Sequence, residues 1–408
     1  MNNKKVLMLL RAPFPPDVRV MKEAAAIIKD GVEVHLLCYR LKNEEMESDY
    51  NGIKIHRYIN HKTGSRWLYL ATMFWETLTY NSQRWKKNII KILKVEGINI
   101  LHVHDLPLGP VAIKVKEKIP DIKVIIDFHE NYAAGSQEWF KWSSGFIFKV
   151  WAIINNYKRL RKIEEQLCQK CDIVITVVEE MKQRLLETWL IPGEKIFVVS
   201  NSEPVDFLAK AKIDKSIVET YQNDFTLLYI GGFGPHRGID TAISGMKYIN
   251  EPKIKLLIVG AKPGDPTSER LSDQISSEDL GNRVIMLPWQ PLEFVQSYIL
   301  ASSVGIVPHN ANDHTNNTIP HKLFQYMMMG KPVIVSSCRS LQRVVSKSDS
   351  GLIFEAGNPK DFAEKVELLY SDKKLYNRFA SNGKVSATIG EFSYDFDMKT
   401  LLKIYNSL

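Results

Sequence analysis

Twice along this chain, short aliphatic runs alternate with longer amphipathic stretches, and the series breaks once in between. The first series is VLMLL at 6–10, VEVHLLC at 32–38, NILHVH at 99–104, KVIIDFH at 123–129 and DIVITVV at 172–178. Runs this short and this apolar suit strands buried on both faces. The stretches between them, such as RVMKEAAAIIKDG, have the spacing of crossover helices. At 195–208, KIFVVSNSEPVDFL carries a strand into a polar turn with Pro204. The pattern then restarts with TLLYIGG at 226–232, IKLLIVG at 254–260, RVIMLPW at 283–289, SVGIVPH at 303–309, KPVIVSS at 331–337 and GLIFEA at 351–356. Such alternation predicts βαβ units and parallel sheets covered by helices. A chain of 408 residues exceeds what one core usually organises. The expectation is therefore α/β, with two doubly wound domains, 1–203 and 204–388, facing across a cleft. Ligands of such sheets sit beyond the carboxyl ends of the strands. The last segment, 389–408, has helical spacing. It either closes the second domain or packs back onto the first.

Charge narrows the partners. The formal net charge is +8 and the pI about 9.0, which favours anionic ligands such as nucleotides, diphosphates or acidic headgroups. No nucleic-acid recognition motif accompanies it, so nucleic acid is not expected. No run approaches the ~18 apolar residues of a membrane-spanning helix. The N-terminal apolar run, Val6–Leu10, is followed at once by prolines and reads as a strand rather than a signal peptide. Of four cysteines, Cys168 and Cys171 have CxxC spacing, but no second pair completes a zinc site. They read as small core residues of a reduced, cytoplasmic protein.

The second half holds two places suited to an anion. In LYIGGFGPHRGID, Gly231, Gly232 and Gly234 allow close backbone approach, and Arg237 stands just before a helix expected near Gly238. A guanidinium there suits phosphate oxygens; the same stretch also reads as a plain glycine-rich connection with a surface arginine. In NNTIPHKLFQYMMMGKPV, Asn316, Asn317 and Thr318 lead to Pro320, which suits a first helical turn. Lys322 adds a cation and Gln325 a hydroxyl partner one turn on. Two anion-suited helix starts point to a diphosphate ester. In the first half, His129 and Glu130 stand at the carboxyl edge of a strand, as do His102 and His104 beside Asp105. The HxH pair suggests metal geometry, yet no complete ligand set accompanies it. Asp17 and Arg19 follow the first strand, in the loop and early helix expected to face the cleft.

YIGGFGPHRGID, IVGAK and PHKLFQYMMMGKPVIVSS together resemble the nucleotide-sugar half of retaining GT-B glycosyltransferases of family four. PFPPDVRVMKEA, HVHDLPL and FSYDFDMKTLLKIY extend the resemblance over nearly the whole chain. It implies two Rossmann-like domains, an acceptor domain first and a nucleotide-sugar domain second, with a closing helix that returns to the first. It implies a hexosyltransferase that moves sugar from a UDP or GDP donor to a glycan or polyprenyl-linked acceptor in polysaccharide biosynthesis, with retention and with neither metal nor cofactor. Arg237 falls where the family binds the donor diphosphate, and His129 where it places an active-site histidine. With Lys322 they form the expected catalytic set. Asp17, Arg19, His104, Glu130, Gly232, Gly234, Asn317, Thr318 and Gln325 are the expected substrate contacts. The family's paired glutamates are replaced here by Thr318 and Gln325, and prolines replace its usual glycines at 13–16.

Six of the eight tryptophans lie between 67 and 151 among lysines and arginines. The stretches around them suit interfacial helices on anionic lipid, or helix cores flanked by snorkelling cations. A peripheral position at the inner membrane face follows from the first reading. Two other functions fit the fold: a nucleotide-sugar epimerase, and a non-catalytic scaffold.

Overall fold

The structure, a computed structural model, describes residues 4–41, 43–58, 74–141, 146–209 and 212–408. Contacts divide it into two units: residues 1–199 with 398–408, and residues 200–397.

The first unit is built on an eight-stranded sheet in the order β3-β4-β2-β1-β5-β6-β7-β8. Its strands are β1 (Lys5–Pro13), β2 (Glu33–Tyr39), β3 (Glu47–Tyr50), β4 (Ile53–Tyr58), β5 (Ile100–His104), β6 (Lys123–Phe128), β7 (Ile173–Thr176) and β8 (Ile196–Val198). All neighbours pair parallel except β3 with β4. That edge hairpin, absent from the strand runs read in the sequence, turns at Asn51 and Gly52, both at positive φ. The winding reverses at β1, which lies between β2 and β5. In an open α/β sheet the ligand crevice forms at such a reversal.

The second unit has six parallel strands in the order β11-β10-β9-β12-β13-β14. They are β9 (Phe225–Ile230), β10 (Ile254–Ala261), β11 (Val284–Pro288), β12 (Val304–Val307), β13 (Val333–Ser336) and β14 (Gly351–Phe354). Here the reversal falls between β9 and β12. Leu227, Ile258, Val304, Ile306 and Ile334 fill the core beneath helices that contribute Ile243, Phe362 and Val366.

The boundary differs by a few residues from the one read in the sequence. Residues 201–203 pack within the second unit: Asn201 Nδ2 donates to the carbonyl of Ile319 at 2.8 Å, and Ser202 Oγ donates to Asp397. The closing helix, Tyr394–Ser407, joins the first unit from Met398 onward. Leu401, Ile404 and Tyr405 on it are fully buried. Cys168 and Cys171 are buried free thiols, and burial pushes the Cys171 thiol up to about 12.

Candidate active site

In the second unit the chain leaves β9 through Gly231 and reaches Arg237 by a 3-10 turn, Pro235–Arg237. Arg237 Nη1 donates to Nε2 of His309, 3.2 Å away, at the end of β12. This contact spans the two strands at which the winding reverses. The loops are tied together: Asn310 donates from Nδ2 to the Pro235 carbonyl and from its main-chain N–H to the His236 carbonyl, each at 3.0 Å. Gly238 is obligatory at this seam. Its φ is +60°, and a Cβ there would stand 1.9 Å from the Pro308 carbonyl oxygen.

Lys322 comes to the same place from the helix His321–Met328. It is only 9% exposed. Its Nζ lies 3.5 Å from the centre of the Tyr229 ring, and a Cβ on Gly231 would come within 3.0 Å of it. Tyr229 in turn donates its hydroxyl to the Gly232 carbonyl at 2.8 Å, shaping the turn beneath the ammonium. Among the described residues neither Arg237 nor Lys322 has an acidic partner. Burial, then the Arg237 charge, holds Lys322 well below the usual lysine range. Burial followed by Arg237 pushes His236 down to about 3 and holds His309 well below its ordinary value. The histidines are thus neutral, which leaves Arg237 and Lys322 as the strongly basic side chains of this place.

Several sequence expectations change here. The helix after Arg237, Ile239–Gly245, has only seven residues, so the guanidinium rather than a helix end carries the attraction for an anion. Pro320 is the N-cap of the next helix rather than its first residue. Asn317, expected at the substrate, is buried and donates its amide to Asp313, at 2.7 Å to the carbonyl oxygen. Gly234 lies against the His236 ring, whereas Gly232 is open. Thr318 is half-buried, and its hydroxyl makes no hydrogen bond among the described residues. Gln325 is half-buried and donates to Glu203 at 3.0 Å.

In the first unit the expected residues meet behind the strand ends. Arg19 and Glu23 stand one turn apart on the helix Val18–Lys29, and their side chains pair at 3.0 Å. Arg19 also grips Asp127 on β6 with two donors, at 2.8 and 3.1 Å, and donates to the Val199 carbonyl at 3.1 Å. It is a buried structural cation, not the cleft-facing contact expected from sequence, because Asp127 neutralises it inside the unit. Asp17 caps this helix by accepting from the Val20 N–H at 3.0 Å. His102 and His104 project from one face of β5, rings stacked 4.5 Å apart. His102 Nδ1 is 2.8 Å from the hydroxyl of Tyr405 on the closing helix. His104, expected at the substrate, is buried, with Nδ1 3.1 Å from Nε2 of His129. Asn131 Oδ1 accepts from the Ala134 N–H at the start of the helix that follows β6.

His129 is 18% exposed. Burial alone would lower it, but Asp105 at 3.6 Å and Asp127 at 3.3 Å outweigh that and raise it to about 9. Burial pushes neutral His104 down to about 3. His129 therefore holds both protons and donates to His104, which accepts. Asp127 stays ionised: burial opposes this, but Arg19 and His129 hold it well below the carboxylate range. Burial raises Glu23 to about 7 against the pull of Arg19. The sequence reading found no complete ligand set around the HxH pair. Glu23 and Asp127 do bring four donor atoms within 4.8 Å of one another with it. Of the two carboxylates, Asp127 accepts two hydrogen bonds from Arg19, whereas Glu23 only lies within ion-pair distance of it. Glu23, Asp105 and Asp127 were legible only as neighbours, four residues past Arg19, one past His104 and two before His129.

Comparison with known proteins gives these two units a family. Residues 17–202 match the family model "Glycosyltransferase Family 4" and residues 210–386 the model "Glycosyl transferases group 1". An uncharacterized glycosyltransferase of Methanocaldococcus jannaschii, MJ1178, is 24% identical over 93% of this chain and 91% of its own. The capsular polysaccharide biosynthesis glycosyltransferase CapM of Staphylococcus aureus is 22% identical over 57% of this chain and 61% of its own. Among solved structures, Anabaena HepE in complex with UDP superposes with a TM-score of 0.74 at 14% identity, covering 99% of this chain and 100% of that one. Matched by family models through both of its units, the chain is a glycosyltransferase belonging to family 4, with the GT-B fold.

Proposed function

We propose that the second unit binds a nucleotide-diphosphate sugar, UDP- or GDP-linked, through its diphosphate. The observation that carries this reading is a pair of basic side chains, Arg237 and Lys322, placed at the sheet's reversal point with no carboxylate partner among the described residues. A buried ammonium with no counter-ion costs several kcal/mol, more than a cation–π contact of about 2 kcal/mol returns. A doubly charged ligand would offset that cost. During transfer the bond from the anomeric carbon to the leaving phosphate oxygen breaks, and a bond to an acceptor hydroxyl forms. Arg237 and Lys322 stabilise the charge that develops on the diphosphate. The acceptor's proton passes to the leaving phosphate, and the anomeric configuration is retained. His129, held charged at the end of β6, is the residue that the resemblance assigns to the active site. The relative crystallised with UDP supports a uridine donor.

Calorimetric titration of the full chain with UDP, GDP and their sugars tests this. Micromolar binding of one nucleoside diphosphate and transfer of its sugar to an added acceptor are expected. Turnover of the donor without any acceptor would favour the epimerase instead, and absence of binding by every nucleotide would remove the proposal.

The acceptor, on this reading, is a glycan or lipid-linked sugar. Its supporting surface lies on the first unit. Arg159 donates to the carbonyls of Thr77 and Leu78, and Tyr80 donates to Asn155 at 2.6 Å, so two aromatic-rich segments adjoin. They leave Phe74, Leu78, Trp75 at 62% and Ile153 at 72% exposed, with Arg159 at the Leu78 carbonyl. Trp85, by contrast, is core; Trp67 and Trp142 lie outside the described residues. No helix among the described residues is long and apolar enough to cross a membrane. Such a surface suits anionic lipid. The protein should co-sediment with phosphatidylglycerol vesicles several-fold more than with phosphatidylcholine vesicles, and Trp75→Ala with Ile153→Asp should remove the difference. Equal recovery on both lipids would rule the contact out.

A further inference from the structure

Residue 325 holds an amide, and the structure says why. Glu203 lies 122 residues earlier in sequence and is 3% exposed. Its Oε1 accepts from Nε2 of Gln325 at 3.0 Å and sits 3.5 Å from Nδ1 of His321, one turn earlier on the same helix. An ionised carboxylate only accepts, whereas a glutamine amide donates at one end and accepts at the other. Glu203 therefore fixes which way the amide points. The NH2 faces inward, and Oε1, which has no hydrogen bond among the described residues, is left as a pure acceptor. It stands one turn from the unpaired Lys322.

We infer that Glu203 is a positioning residue that makes Gln325 present an acceptor oxygen to a ribose hydroxyl of the donor nucleotide. The inference rests on the reading that this unit binds a nucleoside diphosphate. It also accounts for the missing glutamate. A carboxylate at 325 would face Glu203 at about the same 3.0 Å, and two carboxylates that close cannot both ionise.

The test measures UDP and GDP against their 2′,3′-dideoxy counterparts by calorimetry on the full chain. The wild type should prefer the ribose form by about tenfold, one lost hydrogen bond. In Glu203→Gln either amide orientation becomes available, and the preference should fall to about twofold. Gln325→Glu alone should bind the ribose form about tenfold more weakly. The exchange of both, Glu203→Gln with Gln325→Glu, should restore the preference. An unrescued double variant, or an unchanged preference in Glu203→Gln, overturns the inference. So does a wild type that does not distinguish the sugars. If no nucleoside diphosphate binds the wild type, or if Arg237→Ala leaves binding intact, the donor reading itself has failed.

Discussion

Replacing Asp127 by alanine should destabilise the first unit by about 3–5 kcal/mol, because it strands the buried Arg19 guanidinium without its carboxylate. For a unit of this size that lowers the melting temperature by about 10 °C. The unit's own transition, followed by calorimetry, is the measurement, since two units need not unfold together. Arg19→Met combined with Asp127→Leu should cost far less than the sum of the single changes. Glu23 then remains, but its burial already raises it to about 7, and without Arg19 it simply keeps its proton. An additive double variant would mean that the ion pair is not the source of the effect. The pH dependence has a definite sign. Asp127 is held low, so its contribution is present above about pH 4 and lost only in stronger acid. Glu23 and His129 are held high, at about 7 and about 9. Their contributions are complete below their unfolded values, about 4.3 and 6.5, and are lost as pH rises through 7 and 9. His104, pushed down to about 3, gains stability over the range in which Glu23 loses it, so the first unit should melt progressively lower only from about pH 6.5 to about pH 9, as His129 discharges. In Asp127→Asn the alkaline part of that decline should shrink, since His129 keeps only Asp105.

This network also marks the limit of what the sequence makes legible. Buried parallel strands announce themselves as apolar runs, so both sheets and the break near residue 200 could be read directly. The β3–β4 hairpin could not be read that way. ESDY is polar through its first three residues and IKIHRY alternates apolar with polar at a sheet edge, and their clearest signal was the Asn51–Gly52 turn, a hairpin dipeptide. At the sites, a strand end reveals that a residue lies near a ligand crevice but not what stands behind it. Arg19, His104 and Asn317 looked like contacts for a substrate. Asp127, His129 and Asp313 instead occupy their polar atoms from inside. Arg237 and Lys322 stood out for the opposite reason: each adjoins a glycine or proline signal at a strand-to-helix junction, and no acid is adjacent in sequence. Glu203 gave no local signal, because its partner is 122 residues away.

Substituting Lys322 by methionine should reduce nucleoside-diphosphate affinity by about a hundredfold, the loss expected for a charge-assisted contact in a buried site. The same change should raise the melting temperature of the ligand-free protein. A lysine that merely held the fold together would do the reverse. The magnitudes decide the direction: the desolvated ammonium costs several kcal/mol, the Tyr229 ring returns about 2, and methionine fills the space at neither cost. Proton linkage gives a second signature. Burial and Arg237 depress the Lys322 ammonium, so it discharges at a lower pH than an exposed lysine. Affinity for the diphosphate should therefore fall on the alkaline side, and binding there should take up a proton as the ligand draws the ammonium back to its charged form. Lys322→Arg keeps its charge throughout and should flatten that profile while retaining part of the affinity, since a planar fork does not replace a point charge over the Tyr229 face without loss. Arg237→Ala should also lower affinity and, by removing one of the two influences that depress Lys322, should move the alkaline fall to higher pH. If Lys322→Met lost stability and kept its affinity, the ammonium would be part of the scaffold and the diphosphate would have to bind elsewhere.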